Sequence, residues 1–304
     1  MSFRINRADD KFHTNYELGK KIDPISVLPE ELVLNVLSCL NLCQLGTVCL
    51  VSKQWKQLSS EPILWKNAVY QDIAFSSPKW ARCFGEDIVK EEDRQEEFSS
   101  LPMNIAEILK SPGPAFPGKR VIDTHMLVRL PKTLNGELSL NSLGNLTKLY
   151  FPENSQGYLE ADPIILEELG DRPINKSYWV LMTKGILPGS KNKYYDEQQK
   201  IVANLLGYEI PETLECTACI LSQYFDSRVR LFSGYNLQDI INDEGLIHCS
   251  DIFDYEQTYT RCKDVVHDYL QVVVGRFSPS GLILQNDYYH SQFMGIAALR
   301  RFNS

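Results

Sequence analysis

The sequence predicts an α+β protein in which a short all-helical module precedes a larger part of mixed strands and helices. Three observations predict it. Apolar residues recur at three- and four-residue steps between Leu28 and Leu58, a loop of prolines and glycines follows at 111–120, and β-branched apolar runs gather toward the C-terminus. The first pattern is that of amphipathic helix and the last that of strands buried in a sheet. The expected segments are a flexible polar lead-in at 1–23, a helical module at 24–70, a connecting helical and charged region at 71–111, and an α+β domain at 112–304.

Residues 1–23 carry charges throughout and hold no sustained period of helix or strand. The texture changes at Leu28. Pro29 suits the first turn of a helix, and Glu30 and Glu31 complement the positive end of its dipole. Leu32, Val33, Val36, Leu37 and Leu40 then form one broad apolar stripe. Asn41 ends that helix and caps the next, which is expected to carry Leu45, Val48, Val51, Trp55 and Leu58 on a common side. Pro62, with Leu64 and Trp65, opens a third. The charge run at 88–98 is expected to be a solvated helix face or hinge.

Beyond the loop at 111–120, the runs THMLVRLP, YWVLMTKGIL, YLQVVVGRF, GLILQND and GIAALRRF read as strands of a mixed sheet. The stretch from Tyr194 to Phe225 reads as two helices divided at 207–211, where glycine stops one and proline starts the other. No repeat of fixed period is visible, which disfavours leucine-rich and propeller architectures.

Composition sets further limits. The 304 residues, 43% hydrophobic and 23% charged, suit a folded chain. A net charge of -8 without a local basic patch opposes a nucleic-acid partner. The first residues lack the apolar core of a signal peptide, and nowhere do about 18 apolar residues run together. A soluble cytoplasmic protein with no membrane partner is expected. Eight cysteines scattered along the chain suit a reducing compartment.

The order LPEEL at 28–32, Val36-Leu37, Leu40, VCLVSKQW at 48–55 and PILW at 62–65 resembles the F-box. It departs from the family at Gln44, where many members carry an acidic residue. The resemblance implies a substrate-receptor subunit of an SCF-type (Skp-cullin-F-box) ubiquitin ligase. Its partners would be the Skp adaptor, through it cullin, and an unknown target protein. Catalytic residues and cofactors are then expected to be none. The resemblance also implies Leu28, Pro29, Leu32, Val36, Leu37, Leu45, Val51 and Trp55 as the face or framework of the adaptor contact. Physics points the same way, because a module of roughly 40 residues cannot bury enough of its own apolar surface to be comfortably stable. The phrases FPGKRVIDTHMLVRLPKTLNG, KSYWVLMTKGILPGSKNKYYDEQQ, TYTRCKD and GIAALRRF resemble the C-terminal region of a large F-box-like family of chlamydia-like intracellular bacteria. That likeness implies an effector that reaches a eukaryotic host cytoplasm without a Sec signal peptide.

Two rivals remain open, namely a cysteine-dependent enzyme delivered to the ligase by its F-box and adaptor sequestration without ligase activity. The enzyme signals are thin. GPAFPGKR outlines a phosphate loop, yet Arg120 stands where Ser or Thr is needed, and Pro114 and Pro117 lack backbone donors. Cys216 and Cys219 form a CxxC inside an expected helix, where core packing is the default. Cys262 could pair with His267 or His248, while the histidines at 13, 125, 248, 267 and 290 are too far apart for a metal cluster. The basic loop from Lys184 to Lys193 is by default solvated.

Overall fold

The computed structural model describes residues 27–232, 258–287 and 294–302, in two compact units that part after Ser60. The lead-in at 1–23 and His13, His248 and His290 lie outside the described residues.

The first unit holds three short helices, α1 (Glu30–Ser38), α2 (Leu42–Val48) and α3 (Lys53–Ser59), with α3 packed against both others. The single helix expected to run through Leu58 is thereby corrected to two. The cause is Ser52, whose backbone is extended (φ -157°, ψ 171°) and whose hydroxyl accepts from the Trp55 N–H at 3.2 Å. Such a serine cap stabilises a new helix start by about 1 kcal/mol. At the preceding junction, Asn41 Oδ1 accepts from Gln44 N at 2.9 Å and Gln44 Oε1 accepts from Asn41 N at 3.0 Å. The departure at Gln44 thus closes a capping box, because an amide oxygen serves there as well as a carboxylate.

The second unit opens with α4 (Pro62–Ala68), α5 (Ser77–Phe84), α6 (Glu91–Gln95), α7 (Glu97–Ser100) and α8 (Ile105–Lys110). Pro62 stands in the first turn of α4, where its missing N–H costs no helical bond. The charge run is solvated only in part. Glu91 and Glu92 are exposed, but Glu97 is fully buried and accepts from the Ser77 N–H at 2.8 Å. Asp93 accepts from Thr133 N at 2.9 Å and Ser177 Oγ at 2.5 Å. Burial pushes its carboxyl up, but these hydrogen bonds outweigh it and hold the group below its ordinary value.

The remainder comprises α9 (Val121–Thr124), β1 (His125–Leu130), α10 (Leu140–Thr147), β2 (Glu160–Ala161), α11 (Pro163–Leu169), β3 (Tyr178–Thr183), α12 (Tyr195–Ala203) and α13 (Thr213–Ser227). It ends with β4 (Tyr259–Val266), β5 (Leu270–Ser278), β6 (Gly281–Asn286), β7 (Met294–Ile296) and β8 (Leu299–Phe302). One sheet has the antiparallel order β1-β3-β8, and the other is mixed in the order β2-β6-β5-β4-β7, with β2 parallel to β6 and β4 parallel to β7. The expected single strand GIAALRRF is therefore corrected to two strands in different sheets. Between them, Ala297 N donates to Thr260 Oγ1 at 2.7 Å and Ala298 N to Thr183 Oγ1 at 3.2 Å, so each threonine hydroxyl takes a donor that a continuous strand would have spent on a ladder. Helix α13 packs on β1, β4 and β5 and so sits over both sheets. Its core joins Trp80, Leu143, Tyr224, Phe225, Val272 and Phe277.

Candidate functional site

The first unit follows from the placement of apolar residues on α1. Residues four apart in a helix stack on one face, so Leu32 and Val36 form one row and Val33 and Leu37 a second, about 100° away. The second row is buried, as is Leu45 of α2. The first row is left outside. Leu28, Leu32, Val36 and Val51 are between 44% and 62% exposed. Pro29 is exposed ahead of Glu30, and Trp55 on α3 is half-buried. Of the eight residues implied at the sequence level, five are therefore exposed, one is half-buried, and Leu37 and Leu45 are interior.

Sequence reasoning missed two further exposed apolar residues in this stretch. Val27 is 64% exposed and Leu50 85% exposed, both outside the helices. Their signal was present, since each adjoins a residue already singled out, Leu28 and Val51. Six of the fifteen large apolar side chains exposed among the described residues fall within 27–51. Scattered single apolar residues are normal on a surface, whereas here six are gathered in one stretch of 25 residues. Glu30 and Glu31 are exposed at the start of α1, and Lys53 and Lys56 are exposed on α3.

Cys216, Cys219 and Cys262 of the second unit are all buried. Cys262 is fully buried on β4 beside Cys216, and burial pushes its thiol well above the ordinary range. A nucleophilic cysteine needs a depressed value and access to substrate. Cys219 is equally buried and raised, so the CxxC of α13 is core packing. His267 occupies the turn between β4 and β5 with φ 50°, and its N–H donates to Glu168 Oε1 at 3.1 Å. His125 is buried, with Nδ1 at 2.9 Å from Thr124 Oγ1. In the phosphate-loop outline, Gly113 N donates to Lys119 O at 2.7 Å and Arg120 pairs with Asp123 at 3.0 Å, so this backbone closes on itself. In the basic loop, the Lys184 ammonium donates to Ile122 O at 3.2 Å and Lys193 lies 3.7 Å from Glu197. Among the described residues no group of three His, Cys, Asp or Glu could hold a metal ion, and no helix is long and apolar enough to cross a membrane.

A shallow cleft beside β3 is lined by Ile174, Lys176, Tyr178, Glu212 and Arg301. Arg301 donates to Glu215 at 2.6 Å, Glu212 at 3.0 Å and Glu209 at 3.2 Å, and the Tyr178 hydroxyl donates to Glu215 Oε1 at 2.8 Å. This network ties β8 to α13.

Comparison with known families matches residues 25–71 to the F-box-like family. No curated protein and no solved structure matches the chain. The match takes in α1, α2 and α3 and also α4, which belongs to the second compact unit.

Proposed function

We propose that residues 25–71 act as an F-box that docks on a Skp adaptor and, through it, on cullin, while the second unit presents a target protein for ubiquitin transfer. The observation that carries this reading is the outward row of Leu28, Leu32 and Val36, with Leu50 and Val51 also exposed, in a helical stretch that matches the F-box-like family. An apolar row of this kind fits the groove of a helical partner, whose side chains would replace the water it now meets. Leu37, Leu45 and Trp55 serve as the framework that holds the row in place. The chain supplies no chemistry in this reading. It raises the effective concentration of the target beside the charged ubiquitin carrier, and other subunits perform the transfer.

By the likeness of its C-terminal phrases to a family of chlamydia-like bacteria, the chain is further read as an effector acting on a host ligase. The test is a pull-down of purified Skp adaptor by the full chain. Replacing Leu28 and Pro29 together by alanine should weaken capture at least about tenfold, roughly 1.4 kcal/mol, while far-UV and near-UV spectra of the second unit stay unchanged. Undiminished capture by that variant refutes the placement of the interface. Assembly with cullin, and ubiquitin appearing on a bound protein, would separate a working receptor from one that only sequesters the adaptor.

A further inference from the structure

The second unit gathers positive charge at the C-terminal end of α13, where four cations meet one carboxylate. Asp226 accepts from Lys79 Nζ at 2.8 Å and from Arg82 Nη2 at 2.5 Å, so both of its oxygens are taken. Arg228 and Arg230 follow directly, and neither has a carboxylate partner among the described residues. Glu86, past the end of α5, faces Arg94 instead, at 3.9 Å. Four cations against one carboxylate leave the cluster at +3, in a chain whose net charge is -8. No run of the sequence shows this patch, because Lys79 and Arg82 lie 147 and 144 residues from Asp226.

Aromatic rings hold the two arginines that lack a carboxylate. Arg228 stands at the left-handed stop of α13 (φ 61°, ψ 10°), a position glycine usually takes, and its N–H donates to Tyr224 O at 2.8 Å. Its guanidinium carbon lies 4.5 Å from the Tyr150 ring centre and 5.5 Å from that of Tyr224. Arg230 lies 5.4 Å from the same Tyr224 ring. Tyr150 in turn stacks on Phe225 at 4.8 Å, and Phe225 belongs to the core. The half-buried Cys83 joins the two parts of the cluster, since its thiol donates to Phe225 O at 3.8 Å while Arg82, Asp226 and Arg228 all act on it.

One cation near the C-terminus of a helix is explained by the helix dipole, but the surplus here exceeds that role. A guanidinium lying over an aromatic face keeps its edge of N–H donors for a planar carboxylate. Stacking also removes part of the side-chain freedom that an exposed ion pair ordinarily costs. Arg228 is exposed, and the Arg82 side chain is 61% exposed. A nucleic-acid backbone would run on over a surface of opposing net charge, whereas a short run of carboxylates meets only the patch. We infer that Arg82, Arg228 and Arg230 form a docking site for an acidic peptide segment, a run of Asp or Glu in the target protein. This rests on the reading that the second unit presents a target, and it assigns that target a chemistry.

Fluorescence anisotropy of labelled octaglutamate with the full chain tests the site. At about 50 mM salt octaglutamate should bind at least about tenfold more tightly than octaglutamine, and the difference should shrink by about 300 mM. Arg228→Gln with Arg230→Gln should weaken octaglutamate at least about fivefold. Lys119→Gln with Lys200→Gln removes the same charge from two exposed sites outside the cluster and should leave the affinity unchanged. Equal affinity for the charged and neutral peptides overturns the inference, and that comparison needs no variant to fold. Tighter binding of a labelled oligothymidylate than of octaglutamate overturns it in favour of nucleic acid. The stretch at 233–257 carries six carboxylates and no lysine or arginine. Peptide binding that arises only after those six are changed to amides would mean that the chain fills its own patch, which also overturns it. Capture of Skp adaptor is read separately: capture without octaglutamate binding sinks this site and leaves the adaptor docking standing, and the reverse result does the opposite.

Discussion

Helices α1 and α13 are both apolar in sequence, yet α13 buries twelve of its fifteen residues and α1 only two of its nine. Helix α13 lies over two sheets, which surround it with strands of its own chain. In the described structure α1 has one buried row and one uncovered row. Apolar content is therefore the same kind of signal in both places with opposite meaning. In α13 it records a buried core, and in α1 a row that the described residues leave exposed, which is the row the proposed docking would cover.

The strongest way to break this contrast is to truncate an apolar side chain in each helix. Ile220 of α13 is fully buried, and Ile220→Ala should cost about 2–5 kcal/mol of stability by the usual penalty for an internal cavity. Urea unfolding would read that loss as a lower midpoint with an unchanged slope. A loss below about 0.5 kcal/mol, ordinary for a surface site, would mean that α13 is not the closed core described.

Acid sharpens the comparison next, because His125 belongs to the interior of the second unit. Burial, with Lys184 acting in the same direction, lowers its pKa from the ordinary 6.5 to about 4. Phe116 and Tyr208 flank the ring, at 6.1 and 5.5 Å. As pH falls through 6.5 the unfolded chain takes up a proton that the folded chain refuses until about 4. The stability present above pH 6.5 should therefore drain away between about 6.5 and 4, by up to about 3 kcal/mol at 1.36 kcal/mol per unit. His125→Asn should flatten that slope, as followed by urea midpoints at pH 7, 5.5 and 4. An equal slope in both proteins would show that other groups carry the acid response.

A smaller effect is expected from Leu32→Ala with Val36→Ala. Both side chains are exposed, so stability should change by no more than about 0.5 kcal/mol. Adaptor affinity should fall by about 1–3 kcal/mol, the range for truncating central apolar contacts of an interface. Titration calorimetry with the adaptor separates the two outcomes. A double variant that loses several kcal/mol of stability would turn the outward row into a core, and unchanged adaptor affinity would move the interface elsewhere.

Much of this contrast was legible in the sequence, and what was not has identifiable causes. The apolar stripe of α1 and the buried runs of β1 and β3 follow from local periodicity. Which row of the stripe stays uncovered does not, because period alone cannot tell an internal from an external face. The break between α2 and α3 depends on one hydroxyl, that of Ser52, capping Trp55. The division of GIAALRRF depends on Thr183 and Thr260, far away in sequence. Strand β4 carries charges at Arg261, Lys263 and Asp264 that hide it from a search for apolar runs. Arg261 is nonetheless 1% exposed, held by Asp287 at 2.6 Å and Gln198 at 2.8 Å.

The gentlest test of the contrast uses the cysteines already present. Cys39 and Cys43 flank the junction of α1 and α2 and are exposed, whereas Cys216, Cys219 and Cys262 are buried in the second unit. Burial also raises the thiols of Cys219 and Cys262 well above the ordinary range, which removes the reactive thiolate as well as access. Iodoacetamide applied to the native chain, followed by peptide mapping, should therefore modify Cys39 and Cys43 within minutes and leave the other three until denaturant is added. Saturating Skp adaptor should slow modification at Cys39 and Cys43 if the uncovered row is the docking face, since both thiols adjoin it in sequence. Rapid native labelling of Cys262 would undo the interior half of the comparison and bring back a thiol enzyme. Labelling of Cys39 and Cys43 that is indifferent to bound adaptor would instead move the interface away from the end of α1.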